Sequence, residues 1–198
     1  MDKIFFRNAE ATIQSPTLTN PLDNFLQQPN IEASPAWEFI QGKAQQKPIP
    51  TLFHSRLQRN LVNAINSQTT TYEAIQELRC IVPPMSPVAD ISVVKSDLLA
   101  AALRYRLTDE DGSLQGSPDW LIEIRSPDQS TLDIQHKILH CLSNGTQLAW
   151  LIDIQRKQIW VWENQELPLI YADHDALPTL GNILELTVAN VMAMTQQR

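Results

Sequence analysis

The chain is poor in cysteine, and the two it has, Cys80 and Cys141, form no CxxC pair. A disulfide framework and a cysteine zinc cage are thereby excluded, and a reducing cytoplasm is the expected setting. Long apolar runs are missing as well. No stretch of about 18 residues is free of charge, which argues against a membrane span. Residues 1–15 (MDKIFFRNAEATIQS) lack the uninterrupted apolar stretch of a signal peptide, so secretion is not expected. Positive charge is the third shortage: 15 Lys and Arg stand against 22 Asp and Glu, a net charge of −7. A protein that holds nucleic acid by bulk electrostatics is therefore not expected, and any DNA contact has to be local or bridged by metal ions. With five glycines against 13 prolines, the chain is punctuated mainly by proline. What is present, 43% apolar residues over 198 positions, suffices for one mixed-class core. The expectation is a single domain over 1–198 with 1–19 as an N-terminal extension.

Hydrophobic spacing divides the chain further. Asn20 followed by Pro21 starts a short capped helix that ends before Pro29. The run from Trp37 to Lys47 reads as a hairpin turning at Gln41-Gly42. Phe53, Leu57, Leu61, Val62 and Ile65 form one apolar stripe, which predicts a helix over 52–67 lying on a core. Between Tyr72 and Val94 the best strand is 88–94, and an Asp-, Glu- and Gly-rich loop follows at 108–117. Trp120-Leu121-Ile122-Glu123-Ile124-Arg125, stopped by Ser126-Pro127, has the near-continuous apolarity of a central strand covered on both sides. Ser130 with Asp133 makes a capping-box-like start to a helix that ends at Asn144-Gly145. Strands at 148–153 and 158–163 form a second hairpin, an extended piece lies near 169–171, and Thr187 caps a last helix through Met194. This order fits an α/β domain with one mixed sheet flanked by helices.

Two features of this pattern carry chemistry. Glu123 and Arg125 are two apart on a strand and so leave the sheet on one face, with Leu121 and Asp119, while Ile122 and Ile124 face the other way. Charge in the most apolar strand is costly unless paired or bound to a cation. Asp90 repeats the pattern as a lone carboxylate inside VADISVV. If the two strands are neighbours, Asp90 and Glu123 converge, and they repel unless one is protonated or a hard divalent cation lies between them. Taken alone, Glu123 and Arg125 read first as a strand-borne ion pair and Asp90 as a turn cap. His136 and His140, one helical turn apart, could grip zinc but have no third ligand in a recognisable motif. Trp150, Trp160 and Trp162 alternate on strands and read as core or as an oligomer contact before base stacking.

The segment from Pro118 to Pro127, followed by Lys137, Gly145 and Trp150-Leu151-Ile152-Asp153, resembles the bacterial Uma family, which is assigned as endonucleases with the restriction-endonuclease-like PD-(D/E)xK fold. The resemblance covers roughly residues 20–195. It includes Trp37-Glu38-Phe39-Ile40-Gln41-Gly42 at the family's early Glu-hydrophobic-hydrophobic-x-Gly stretch and His54 at its helical histidine. It implies a metal-dependent phosphodiesterase site, with the metal-binding carboxylates on Asp90 and Glu123 and a third acidic position on Glu38. Mg²⁺ or Mn²⁺ would be the cofactor, DNA the substrate, and a homodimer the assembly. The sequence departs from the motif at Arg125, where a lysine normally stands. Arginine stabilises phosphate charge through its fork but cannot accept a proton near neutral pH. Lys137 matches the family's helix lysine and is the candidate for that displaced role, against its plainer reading as an i,i+4 surface partner of Asp133. Glu38 and His54 likewise have plain readings, as an exposed hairpin residue and as a surface or helix-capping residue. The resemblance thus implies a Mg²⁺-dependent endonuclease, and the arginine leaves open a catalytically degenerate member that binds nucleic acid or protein.

Overall fold

The computed structural model describes residues 20–105, 112–127, 129–163 and 167–197. Residues 108–111 of the loop expected at 108–117 and the N-terminal extension lie outside these, and the described remainder of that loop carries a two-residue strand, Leu114–Gln115. Among the described residues the first element is α1 (Pro21–Leu26), for which the Asn20 side chain accepts the Leu22 amide hydrogen, followed by the hairpin β1 (Trp37–Ile40) and β2 (Lys43–Gln46). The hairpin turns at Gln41 and Gly42, both with positive φ (50° and 76°), the backbone of a two-residue hairpin loop in which glycine is free of Cβ strain. Then come α2 (Leu52–Gln68), β3 (Tyr72–Gln76), β4 (Cys80–Ile81), β5 (Ile91–Lys95), α3 (Ser96–Tyr105) and β6 (Leu114–Gln115). The second half runs β7 (Trp120–Ile124), α4 (Thr131–Ser143), β8 (Leu148–Asp153), β9 (Gln158–Glu163), β10 (Leu169–Ala172) and α5 (Val188–Ala193).

Six strands form the main sheet in the order β10-β9-β8-β7-β5-β3. β7 and β8 are parallel, joined by α4 in a βαβ crossover, and the other neighbours are antiparallel. This is the mixed sheet the sequence implies. β7 is its centre, buried at every position, as its apolarity requires. Its alternation assigns two layers. Trp120, Ile122 and Ile124 point toward α2, packing with Leu57, Leu61 and Ile65, and Trp120 meets Trp150 edge to face at 4.7 Å. Leu121 points toward α4, packing with Ile134, Ile138 and Cys141. A burial of this kind contributes about 2 kcal/mol per large side chain, and it fixes the register: one residue of slip would send Glu123 into the α2 layer.

Three differences from the sequence reading concern elements. The strand expected over 88–94 begins at Ile91, because Val82, Val88 and Arg79 take part in isolated bridges that turn the chain before it enters the sheet. β3 forms the edge beyond β5, where short β-branched pieces gave no clear strand. α3 follows β5 at once and was not expected. Trp150 and Trp162 are wholly buried inside the chain, and Trp160, partly buried, packs at the margin of the α4 layer, so the core reading holds for the first two. No helix among the described residues is long and apolar enough to cross a membrane.

Candidate functional site

The β5–β7 pairing sets Ile91 opposite Ile122, so Asp90, one residue before β5, stands opposite Glu123. The carboxylate of Asp90 reaches across to β7: its Oδ2 accepts the Ile124 amide hydrogen at 2.6 Å. The same oxygen lies 3.2 Å from His54 Nε2, on the first turn of α2. Oδ1 lies 2.7 Å from Lys47 Nζ, which reaches in from the segment between β2 and α2. Gln58, one turn after His54, donates to the Asp90 carbonyl at 2.6 Å and to Glu77 Oε1 at 2.9 Å. The Asp90 carboxylate is therefore met by three segments, the stretch holding Lys47, α2 and β7.

Glu123 lies on the α4 side. Lys137 Nζ stands 2.9 Å from Glu123 Oε1 and 2.8 Å from Glu38 Oε1, and the Val88 amide also donates to Glu38 Oε1 at 2.8 Å. Lys137 belongs to the buried face of α4 beside Ile134, Ile138 and Cys141, which is why it faces the sheet and not Asp133. Its ammonium is directed to Glu38. Toward Glu123 it is close but misaligned, leaving Glu123 Oε1 a buried carboxyl oxygen without a directed donor. Glu38, Asp90, Glu123 and Lys137 are each 2–3% exposed.

Burying three carboxylates with two ammonium groups has predictable electrostatic effects. Burial opposes the charge on Asp90, but Lys47 and His54 outweigh it and hold the carboxyl well below its usual range. At Glu123 burial wins, reinforced by Asp90, and the carboxyl is pushed up to about 8 despite Lys137. Burial also opposes both lysines, yet Asp90 at Lys47, and Glu123 with Glu38 at Lys137, hold their charge more firmly than in water. His54 moves up for the same reason, burial being overcome by its bond to Asp90. Asp90 and Glu123 thus have unlike environments, one in which the carboxylate charge is favoured and one in which burial and a neighbouring carboxylate oppose it.

Asp90 forms part of the wall of a cleft of about 210 Å³, together with Lys47, His54, Gln58, Glu77 and Ser126. Glu123 and Lys137 lie behind that wall. The expected site residues divide accordingly. Asp90, Glu123, Lys137 and Glu38 are brought together. Glu38 is not an exposed hairpin residue, but neither does it join the other two as a third ligand: among the described residues no three His, Cys, Asp or Glu side chains are placed to surround one ion, and Glu38 Oε1 is already bonded twice. Arg125 stands apart, its Nη1 on Asp153 Oδ2 at 3.1 Å, because the parallel β8 ends beside it with an acidic residue. His140 Nε2 meets the Val82 carbonyl at 2.8 Å, a structural contact.

Lys47, Gln58 and Glu77 escaped the sequence reading. A lysine between a polar strand and Pro48 looks like any surface lysine. Gln58 gave a faint signal, since it and His54 stand one turn apart along the edge of the α2 stripe.

A hard divalent ion fits this donor set. Asp90 and Glu123 offer oxygen ligands, and Glu123 Oε1 lacks a directed donor.

The family model "Uma2: Putative restriction endonuclease" matches residues 22–191. Among solved structures, a protein described as "a putative nuclease belonging to DUF820" from Anabaena variabilis ATCC 29413 is 35% identical, with a TM-score of 0.78 over 88% of this chain and 98% of the other. None of the curated proteins matches.

Proposed function

Because the chain belongs to the Uma2 family and has its restriction-endonuclease-like fold, we propose that it is a divalent-metal-dependent endonuclease that hydrolyses DNA phosphodiester bonds. The observation that carries this is the meeting of Asp90 with β7: a carboxylate held at 2.6 Å from the Ile124 amide, one residue from Glu123, at the wall of an open cleft. Asp90 and Glu123 would hold Mg²⁺ or Mn²⁺. Bound there, such an ion lowers the pKa of a water and neutralises charge building on the scissile phosphate. Lys137 holds Glu123 in place from behind and offsets its charge together with that of Glu38. His54 and the Ile124 amide orient Asp90, and Gln58 fixes the backbone behind it. Arg125 is engaged with Asp153 and takes no part at the cleft.

The test is cleavage of plasmid and single-stranded DNA with Mg²⁺ or Mn²⁺. Asp90→Ala and Glu123→Ala are expected to abolish it, and activity surviving both belongs to another site. A homodimer is part of the proposal. What supports it is β10, the sheet edge, with Leu169 and Ile170 each more than half exposed; a monomer in sedimentation at micromolar concentration rejects it.

A second reading has its own observation. Both carboxylates are already met by lysines and the motif's basic position is turned to Asp153, an arrangement that stands without metal. It suits a family member that keeps the fold as a nucleic-acid-binding or protein-interaction module. Failure of every metal to support cleavage, with retention of a bound nucleic acid or protein, would select it.

A further inference from the structure

Lys47 brings a positive charge into a ready-made oxygen pocket. Its Nζ lies 2.7 Å from Asp90 Oδ1, 2.9 Å from the Val88 carbonyl and 3.0 Å from Glu77 Oε2. Two carboxylates and a main-chain carbonyl make the hard-oxygen set a divalent ion takes. We infer that Lys47 is a tethered counter-cation of this site: its ammonium fills the pocket on Asp90 in the metal-free chain, and a divalent ion that takes up Asp90 Oδ1 has to displace it into the cleft. The inference rests on the divalent-metal reading above.

Three facts support it. An ammonium at 2.7 Å from a carboxylate oxygen and a divalent ion on the same oxygen would stand within about 4–5 Å of each other and repel, so the two compete for Asp90 Oδ1. Lys47 has somewhere to go, because it lines the open cleft and hangs from a segment between β2 and α2. Lys137 has not: it is enclosed between Glu38 and Glu123 behind the cleft wall. The two lysines therefore differ in kind, one a fixed internal partner and one an exchangeable one. Removing the exchangeable charge strips Asp90 of its competitor, so a divalent ion gains what Lys47 gave up.

The experiment is calorimetric titration of Mn²⁺ into the wild-type chain, Lys47→Gln and Lys47→Arg, paired with side-chain ammonium NMR of the wild type during Mg²⁺ titration. Lys47→Gln is expected to bind Mn²⁺ about tenfold or more tightly than wild type, whereas Lys47→Arg, which keeps the cation, gains nothing. In the wild type the Lys47 ammonium signal should be lost as Mg²⁺ saturates while that of Lys137 persists. This second measurement decides alone if Lys47→Gln does not fold. A Lys47 signal that survives saturation, or a glutamine variant binding no better than wild type, overturns the inference and leaves the nuclease reading standing. Absence of divalent binding in every variant overturns both.

Discussion

Lys137 is the residue whose loss should be felt most in folding, because it serves two carboxylates that water cannot reach. Lys137→Met leaves Glu38 and Glu123 buried without their counter-charge, a change that costs about 3–5 kcal/mol in buried ion pairs. Urea unfolding is expected to show that loss, and adding Glu123→Gln should recover part of it, since the double change removes charge of both signs. Arg125→Lys makes the opposite case. Its partner is Asp153, outside the cleft, so the cleavage rate is expected to stay within about threefold of wild type, less than ~1 kcal/mol in barrier. A large gain in rate would instead restore Arg125 to the site. The two cysteines test burial directly. Burial pushes the Cys80 thiol up to about 12 and Cys141 upward likewise, so both stay protonated, and neither should react with a disulfide reagent near pH 8 until denaturant is added. The sign follows from linkage: a thiol whose pKa is raised by folding favours the native state below its ordinary pKa, and that contribution is lost as pH climbs toward 12.

At the scale of elements, α4 positions Lys137, and its start is fixed by Ser130, whose side chain accepts the Asp133 amide hydrogen. Ser130→Ala is expected to cost about 1 kcal/mol, read as a lower melting temperature and faster amide exchange in the first turn of α4. That cap, the α2 stripe, the β8–β9 hairpin and the Thr187 cap were legible in the sequence because each is local: periodicity and end signals lie within one window of residues. The pairing of Asp90 with Glu123 was legible only as a conditional, since alternation gives the face of a strand and not its neighbour. Lys137 carried a usable signal, a charge on the buried stripe beside Ile134, Ile138 and Cys141, which the equally good spacing to Asp133 masked. Lys47 and Glu77 carried none. Their partners lie 43 and 30 positions away respectively for Lys47 with Asp90 and Lys47 with Glu77, and nothing in a polar loop announces a contact that only the folded sheet creates. Glu38 looked exposed because a four-residue hairpin strand says little about what packs over it.

For the whole molecule, the decisive quantity is charge. The chain carries −7 overall, and the two lysines at the site are already committed to carboxylates, Lys47 to Asp90 and Lys137 to Glu38 and Glu123. Among the residues lining the cleft, Glu32, Glu77 and Asp90 outnumber Lys47, so a duplex approaching it would meet no surplus of cation there to release its counterions, the term that supplies most non-specific affinity. A divalent ion at Asp90 changes this in two ways, by adding its own charge and, on the inference above, by freeing the Lys47 ammonium toward the cleft. DNA retention should then depend on the metal more than on salt. Fluorescence anisotropy with a labelled duplex is expected to show negligible binding in EDTA, binding when Ca²⁺ is supplied to limit turnover, and a shallow dependence on monovalent salt because few phosphates are neutralised by side chains. Strong metal-free binding with a steep salt slope would mean that a basic surface elsewhere holds the nucleic acid, and the cleft at Asp90 would lose its claim to be where the duplex docks.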